Sequence, residues 1–310
     1  MTRNIGIDIS KATLDAYRTD DGVHAQFQND NKGRRALLQW IGESAALVVF
    51  EATGAYHRGL EVDLANASVP FAKVNPKQAR RFAQAIGTLA KTDRVDAAML
   101  AKMGAVLNFS PQSPATQELH DMRELLAARR ALIKDQSAAR TRLGTASVAS
   151  VQTILKRRLR QIAKDIEQID NALSSLSILD ATFARKVAIL ASIPGIGALT
   201  AITLLIDMPE IGNMENKQAA SLAGLAPVSQ SSGKWQGKER IQGGRAQLRK
   251  ALYMPALVAT RVNPDMARKY NQLIDAGKQK KVALTAIMRK LLVMANALLR
   301  DDRKWAEQQP

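Results

Sequence analysis

The chain has 310 residues, enough for two or three modest domains, with 45 Lys and Arg against 28 Asp and Glu and a formal net charge of +17. That basic excess points to nucleic acid as the partner ahead of an anionic membrane surface, and the absence of Cys excludes disulfides, zinc–thiolate centres and thiol nucleophiles. His24, His57 and His120 are too scattered for a histidine-built metal site, aromatics at 4% argue against a base-stacking sheet, and no stretch approaches the roughly 18 consecutive apolar residues of a bilayer span.

Met1-Thr2-Arg3-Asn4 leads straight into a short strand, without the apolar stretch of a signal peptide. Residues 1–110 read as α/β. Alternating and apolar runs predict strands at 3–9, 13–18, 23–28, 45–50 and 69–74, and helical spacing predicts helices at 31–41, 56–66, 76–85 and 93–106. Asp30 is a plausible cap for the first helix, with Asn29 and Asn31 as alternatives. Three strands precede the first helix, and strand and helix then alternate. This is the order of a mixed sheet flanked by helices, as in ribonuclease H. The charge here is small, 14 basic side chains against 11 acidic.

Residues 111–180 change character. Phe109-Ser110-Pro111-Gln112-Ser113-Pro114 reads as a linker. Leu155, Leu159, Ile162, Ile166, Ile169, Leu173 and Leu176 then form a regular heptad seam. A weaker seam runs through Leu119, Met122, Leu126, Ile133 and Leu143, with Arg129, Gln136 and Arg140 as polar interruptions. Gly144-Thr145-Ala146-Ser147 is able to turn the chain between them. An antiparallel hairpin within one subunit and an intermolecular coiled coil fit the pattern equally well.

Residues 181–310 carry most of the charge, 20 basic against 9 acidic. Ser192-Ile193-Pro194-Gly195-Ile196-Gly197 between two helical stretches resembles a helix-hairpin-helix, whose turn amides hold a DNA phosphate; a connection without a ligand fits as well. Lys234, Lys238, Arg240, Arg245, Arg249 and Lys250 follow in close order, and Lys278, Lys280 and Lys281 form a second cluster, with Arg289 and Lys290 beyond. Any one of these is normally a solvated charge, but 14 basic against 3 acidic over 232–290 is better explained by phosphate contacts, which position nucleic acid without reading its sequence.

Four acids carry the candidate chemistry. Asp8 ends Asn4-Ile5-Gly6-Ile7, Glu51 ends Leu47-Val48-Val49-Phe50, and Asp93 and Asp96 open the last helix of the first region. Singly, Asp8 reads as a strand-end turn residue, Glu51 as a loop start, and Asp93 and Asp96 as first-turn acids behind a Thr92 or Asp93 cap. Jointly they read otherwise. Positions three apart share a helix face, and in a ribonuclease-H-like sheet the first and fourth strands are neighbours. The four oxygens then make a hard site suited to Mg²⁺, with Mn²⁺ as substitute, for phosphodiester displacement.

Taken together, Gly6-Ile7-Asp8, Glu51-Ala52-Thr53-Gly54, Lys91-Thr92-Asp93-x-x-Asp96-Ala97, Ile193-Pro194-Gly195-Ile196-Gly197, Gly224-Leu225-Ala226-Pro227, Ser232-Gly233, Gly243-Gly244-Arg245, Leu248-Arg249 and Ala251-Leu252-Tyr253-Met254-Pro255 resemble, in order and over nearly the full length, the DEDD-type transposases of bacterial insertion sequences. That family is guided by a structured bridge RNA and includes related DNA invertases. The resemblance implies a ribonuclease-H-like, Holliday-junction-resolvase-like domain over 1–110, a coiled coil over 111–180 and a mostly helical transposase domain over 181–310. It implies catalysis by Asp8, Glu51, Asp93 and Asp96 with a serine nucleophile that forms a transient phosphoserine. Ser229, Ser231 and Ser232 compete for that role, and only Ser232 precedes a glycine. It also implies donor and target DNA, a guide RNA, a homo-oligomer (dimer or tetramer) and a cytoplasmic, nucleoid-associated bacterial protein. The rival enzyme reading is a metal-dependent junction-resolving nuclease that uses water; the non-enzymatic rival is a basic nucleic-acid-binding scaffold.

Overall fold

The computed structural model describes residues 3–42, 45, 47–52, 54, 56–88, 92–112, 116–229, 231, 232, 235–237 and 239–306. The chain divides into two compact units, Met1–Ala115 and Thr116–Pro310.

The first unit contains β1 (Asn4–Ile9), β2 (Thr13–Arg18), β3 (His24–Gln28), α1 (Asn31–Ile41), β4 (Leu47–Glu51), α2 (Arg58–Asn66), β5 (Phe71–Val74), α3 (Pro76–Ala85) and α4 (Asp93–Leu107). The strands form one mixed sheet in the order β3-β2-β1-β4-β5, antiparallel on the β1–β2–β3 side and parallel across β1, β4 and β5. Every strand and helix expected over 1–110 forms, with ends within two residues of the expectation. Asp30 is the cap of α1, accepting a 2.7 Å bond from the amide of Gly33, and Thr92 caps α4 through the amide of Val95.

Strand alternation divides the sheet into two faces. Ile5, Ile7 and Ile9 join Leu14, Leu37, Leu60 and Leu64 in one buried core, each such side chain contributing roughly 1.5–3 kcal/mol. On the other face Val49, Ala72 and Val74 pack with Met99, Leu100 and Met103 of α4. Gly6 lets α4 lie directly on β1. A Cβ there would stand 2.0 Å from the carbonyl oxygen of Ala97 and 2.3 Å from the amide nitrogen of Ala101. Backbone cannot yield as a side-chain tip can, so Gly6→Ala is expected to cost more than about 3 kcal/mol, the upper end of core overpacking. Urea unfolding measures this; a loss below about 1 kcal/mol would refute the close approach.

The second unit opens with α5 (Gln117–Thr145) and α6 (Ala149–Ser177). They form an antiparallel hairpin within one chain, joined through Ala146–Val148 and tied by the 2.5 Å Arg129–Asp170 ion pair. At 29 residues each, the helices are about 43 Å long. All seven positions of the α6 seam are buried or half-buried. On α5, Ile133 is 41% exposed and its neighbour Leu132 turns inward. Between Arg129 and Leu132 the inward positions step by three residues where the heptad spacing expects four. Arg140 is likewise exposed, and Ala139 is buried in its place.

Beyond the hairpin lie α7 (Ala181–Ala191), α8 (Ala198–Asp207), α9 (Asn216–Leu222), four short strands β6 (Pro227–Val228), β7 (Ser231–Ser232), β8 (Trp235–Gln236) and β9 (Arg240–Ile241), then α10 (Ala246–Val262), α11 (Pro264–Asp275) and α12 (Lys280–Arg300). α8, α10 and α12 supply the core through residues such as Leu204, Leu252 and Leu291. By length and mean hydropathy (1.7) α12 could cross a membrane, yet half of that window is buried, packed against α7, α9, α10 and α11, as in a core helix. The α7–α8 connection is a tight turn at Gly195, where a Cβ would come within 2.8 Å of Ala259.

Candidate active site and nucleic-acid interface

The sheet and α4 bring the four acids to one end of one face. The β1–β4 register pairs Gly6 with Val49 and Ile7 with Phe50; one step further on, Asp8 stands level with Glu51. Both follow the alternation of Gly6 and Val49, whose faces lie against α4. α4 runs antiparallel to β1, with Ala97–Ala101 over Gly6 and Gly104 over Asn4. Its first turn, carrying Asp93 and Asp96, therefore lies at the Asp8 end. The Asp8 carboxyl is pushed up to about 6, first by burial, then by the charges of Asp96 and Asp93, with a smaller push from Glu51, against one backbone hydrogen bond at Ile9. The four acids thus act on one another. Among the described residues, however, no three His, Asp or Glu side chains are gathered closely enough to hold an ion. The like charges share a field without closing on a centre. A set of four carboxylates, one kept partly protonated by burial and by the charge of the others, fits a hard divalent cation by donor chemistry and by charge.

A fifth acid escaped the sequence reading. Asp15 on β2 pairs directly across from Asp8 and is only 4% exposed. Its oxygens accept from Gln26 at 3.1 and 3.2 Å, and His24 Nε2 lies 3.0 Å away. A ring nitrogen and an amide so close make Asp15 a fixed wall of the site. Its only signal in sequence was an acid at an inward position between Leu14 and Ala16.

Ser232 sits on a short two-stranded ribbon. Pro227 and Val228 pair with Ile241 and Arg240, and Ser231 and Ser232 pair with Gln236 and Trp235. These are two separate two-stranded ladders, β6–β9 and β7–β8, and Ser231 and Ser232 are exposed. A polar loop was all that composition offered here; strands of two residues are too short for periodicity to reveal. The base is locked by glycines: a Cβ on Gly244 would meet the amide nitrogen of Gly224 at 2.1 Å. Arg249 donates to the carbonyls of Ala223 and Gly243. Arg245 donates to the carbonyl of Asp207 and pairs with Glu210 at 2.7 Å. Burial opposes ionisation of Glu210, but Arg245 prevails and holds its carboxyl below the usual range, with help from Arg123. These two arginines hold the ribbon's base.

Of the other basic positions, Lys234 and Lys238 lie outside the described residues, as do Thr53, Lys91 and Gly233 of the motifs. Arg240, Lys250, Lys280 and Lys281 are exposed. Lys280 and Lys281 open α12, whose first turn has no acid, so their charge adds to the positive end of the helix dipole and favours an anion there. A groove of about 1090 Å³ runs between the ribbon's base and α12. Its floor includes Leu225, Ile241 and Val282, and Lys217, Lys269 and Arg289 join Arg240 along it. Lys217 and Lys269 come from helices that the sequence showed only as isolated charges.

Comparison with known proteins decides the family. Residues 5–146 match the DEDD transposases of the IS110 type, and residues 187–271 match the family described as Transposase IS116/IS110/IS902. The chain is 32% identical to the pilin gene-inverting proteins of Moraxella bovis and of Moraxella lacunata, over 96% of this chain and 96% of each of those. The chain belongs to the IS110 family of DEDD transposases. A further similarity, 29% identity over 50% of this chain, is to an uncharacterized 42 kDa protein of insertion element IS900 from Mycobacterium paratuberculosis. An IS110-type transposase is a DNA recombination enzyme that cuts and rejoins strands, and its DEDD class goes with use of a divalent metal.

Proposed function

We propose that this chain cuts and exchanges DNA strands through a transient phosphoserine at Ser232, with Mg²⁺ (or Mn²⁺) held by Asp8, Glu51, Asp93 and Asp96 in a ribonuclease-H-like domain. The observation that carries this reading is the Asp8 carboxyl, raised to about 6 by burial and by the other three acids of the set. A divalent cation at such a set offsets phosphate charge and lowers the pKa of a coordinated oxygen. Ser232 Oγ would attack the phosphorus, forming the P–O bond of the phosphoserine as the P–O bond to one deoxyribose breaks; the hydroxyl proton leaves and the departing deoxyribose oxygen is protonated. Rejoining reverses these events on the exchanged strand. Exposure of Ser232 on its ribbon supports the role, since a nucleophile for a duplex must protrude.

Arg240, Lys250, Lys280 and Lys281, with Lys234 and Lys238, are assigned to phosphates, and the Gly195–Gly197 turn to one more. No helix presents an evident base-reading set, which fits delegation of target choice to a guide RNA. The chemistry joins two DNA partners, and the reading needs Ser232 and the acids to meet within one chain or between copies in a dimer or tetramer. Mixing tests this directly. Asp8→Asn and Ser232→Ala are each expected to be inactive, and their mixture to regain recombination if acids and serine come from different subunits. The same assay, run with Mg²⁺ and any RNA recovered with the protein on DNA bearing the element's ends, tests the function. Wild-type protein that joins no strands under those conditions overturns it, and a monomeric mass by light scattering on nucleic acid overturns the oligomer.

A further inference from the structure

We propose that the free end of the α5–α6 hairpin is a separate nucleic-acid contact, in which Lys156, Arg157, Arg160 and Lys164 follow the phosphates of a double helix. This rests on the protein acting on nucleic acid, but not on its strand chemistry. Residues 136–164, which span the hairpin's turn, contain seven cations and no acid: Arg140, Arg142, Lys156, Arg157, Arg158, Arg160 and Lys164. All seven are exposed, and none has a carboxylate partner among the described residues. The other end of the hairpin is built differently. There Arg129 pairs with Asp170 and Arg130 with Asp207, and Met122, Leu126 and Leu173 pack on Ile202 and Ile206 of α8. One end is anchored and neutralised, and the other projects with its charge unmatched.

The charge is also ordered. At 100° per residue, positions 156, 157, 160 and 164 fall within one 100° stripe on the side of α6 away from the Leu155–Leu159–Ile162–Ile166 seam. Successive members at 156, 160 and 164 advance by about 6 Å along the axis. Like charges at this spacing repel within an isolated helix, and a polyanion laid along the stripe reverses that. Val148, Val151 and Ile154 are 58%, 43% and 54% exposed at the same end, which would also suit a second copy of the chain. A symmetric tip-to-tip contact, however, would bring a second set of seven cations against the first. Phosphate backbone is the occupant that the charge selects.

The test is binding of the full chain, by fluorescence anisotropy, to a random-sequence DNA duplex and to a hairpin RNA between about 0.05 and 0.2 M salt. K156Q/R157Q/R160Q/K164Q is expected to weaken binding at least tenfold and to lower the slope of log K against log salt by about 3 to 4, near 0.9 for each lost phosphate contact. A change confined to the duplex assigns the tip to DNA, and one confined to the hairpin assigns it to RNA. R157K/R160K, which keeps the charge, should bind within about twofold of wild type, as phosphate contacts require. Should the quadruple variant fail to fold by circular dichroism, K156Q/K164Q makes the same test with a slope loss of about 2. Unchanged affinity and slope for both ligands overturn the proposal, as does an altered oligomer mass with unaltered binding. The readout is binding and not strand cleavage, so failure of the carboxylate chemistry and failure of the tip contact are told apart.

Discussion

Asp8→Asn is expected to cut strand cleavage by orders of magnitude and yet make the metal-free protein more stable at pH 8. The two effects have one cause. In the folded chain the Asp8 carboxyl titrates at about 6 in place of 3.8, because burial and the charges of Asp96, Asp93 and Glu51 disfavour its anion. A raised acid pKa means that the folded state binds the proton more tightly than the unfolded state. Stability from this group is therefore full below pH 4, falls as pH rises towards 6, and stays low above that. Asparagine has nothing to ionise and escapes the penalty. The carboxyl is half open to solvent, so the gain is about 1 kcal/mol rather than the full value of the shift. Mg²⁺ at several times its dissociation constant should raise the Tm of wild type, as any ligand of the folded state does, and leave that of Asp8→Asn almost unmoved. Cleavage should fall on the order of 10²–10⁴-fold, the range for removal of an essential catalytic group. Scanning calorimetry at pH 5 and pH 8, with EDTA and with Mg²⁺, sets the stability prediction against cleavage in the same preparation. A variant less stable than wild type at pH 8 without metal would show that Asp8 is held by attractive contacts and is no part of a repelling set.

The sequence made some of this legible and hid the rest for physical reasons. The sheet was readable because β1 and β4 are apolar runs that end at or beside the acids, and because Asp30 and Thr92, each offered beside a neighbouring alternative, mark helix starts by a local hydrogen bond. That Asp93 and Asp96 share a face follows from helix geometry alone. What the sequence could not give was how close α4 lies to β1. That depends on Gly6 facing backbone at 2.0 Å, and a glycine in a strand reads locally as a weakness. Asp15 was missed because its partners, His24 and Gln26, come from the next strand. The slip between Ile133 and Leu132 is one residue wide; both are apolar, and at 100° per residue Ile133 lies nearer the Met122–Leu126–Arg129 stripe, so no local pattern gave the inward residue. The serine ribbon was invisible because its pairing is held in place by distant contacts, Gly224 against Gly244 and Arg249 on two carbonyls, and no local pattern encodes them.

Ser232→Ala is expected to remove every trace of covalent protein–DNA adduct and all strand exchange, while DNA affinity and Tm stay within error of wild type. The stability half follows from position. Ser232 is exposed on a two-stranded ribbon, and an exposed Ser→Ala change away from a helix cap is normally worth less than about 0.5 kcal/mol. The chemical half follows from mechanism. A hydroxyl that becomes the linking atom of a phosphoserine has no substitute in a methyl group, so the loss should reach the detection limit, not a partial decrease. Ser231→Ala is the control. Ser231 shares the ribbon and its exposure, but successive strand residues point to opposite faces. If Ser232 is the nucleophile, the neighbouring variant keeps its adduct, and damage to the ribbon is excluded as the cause. Trapping the reaction by rapid denaturation and resolving labelled DNA on a denaturing gel reads the adduct directly. The opposite result is equally specific. If Ser232→Ala still cuts DNA in Mg²⁺ and leaves free ends without adduct, the four carboxylates direct water at the phosphate, and the enzyme is a junction-resolving nuclease whose serine ribbon serves only to hold DNA.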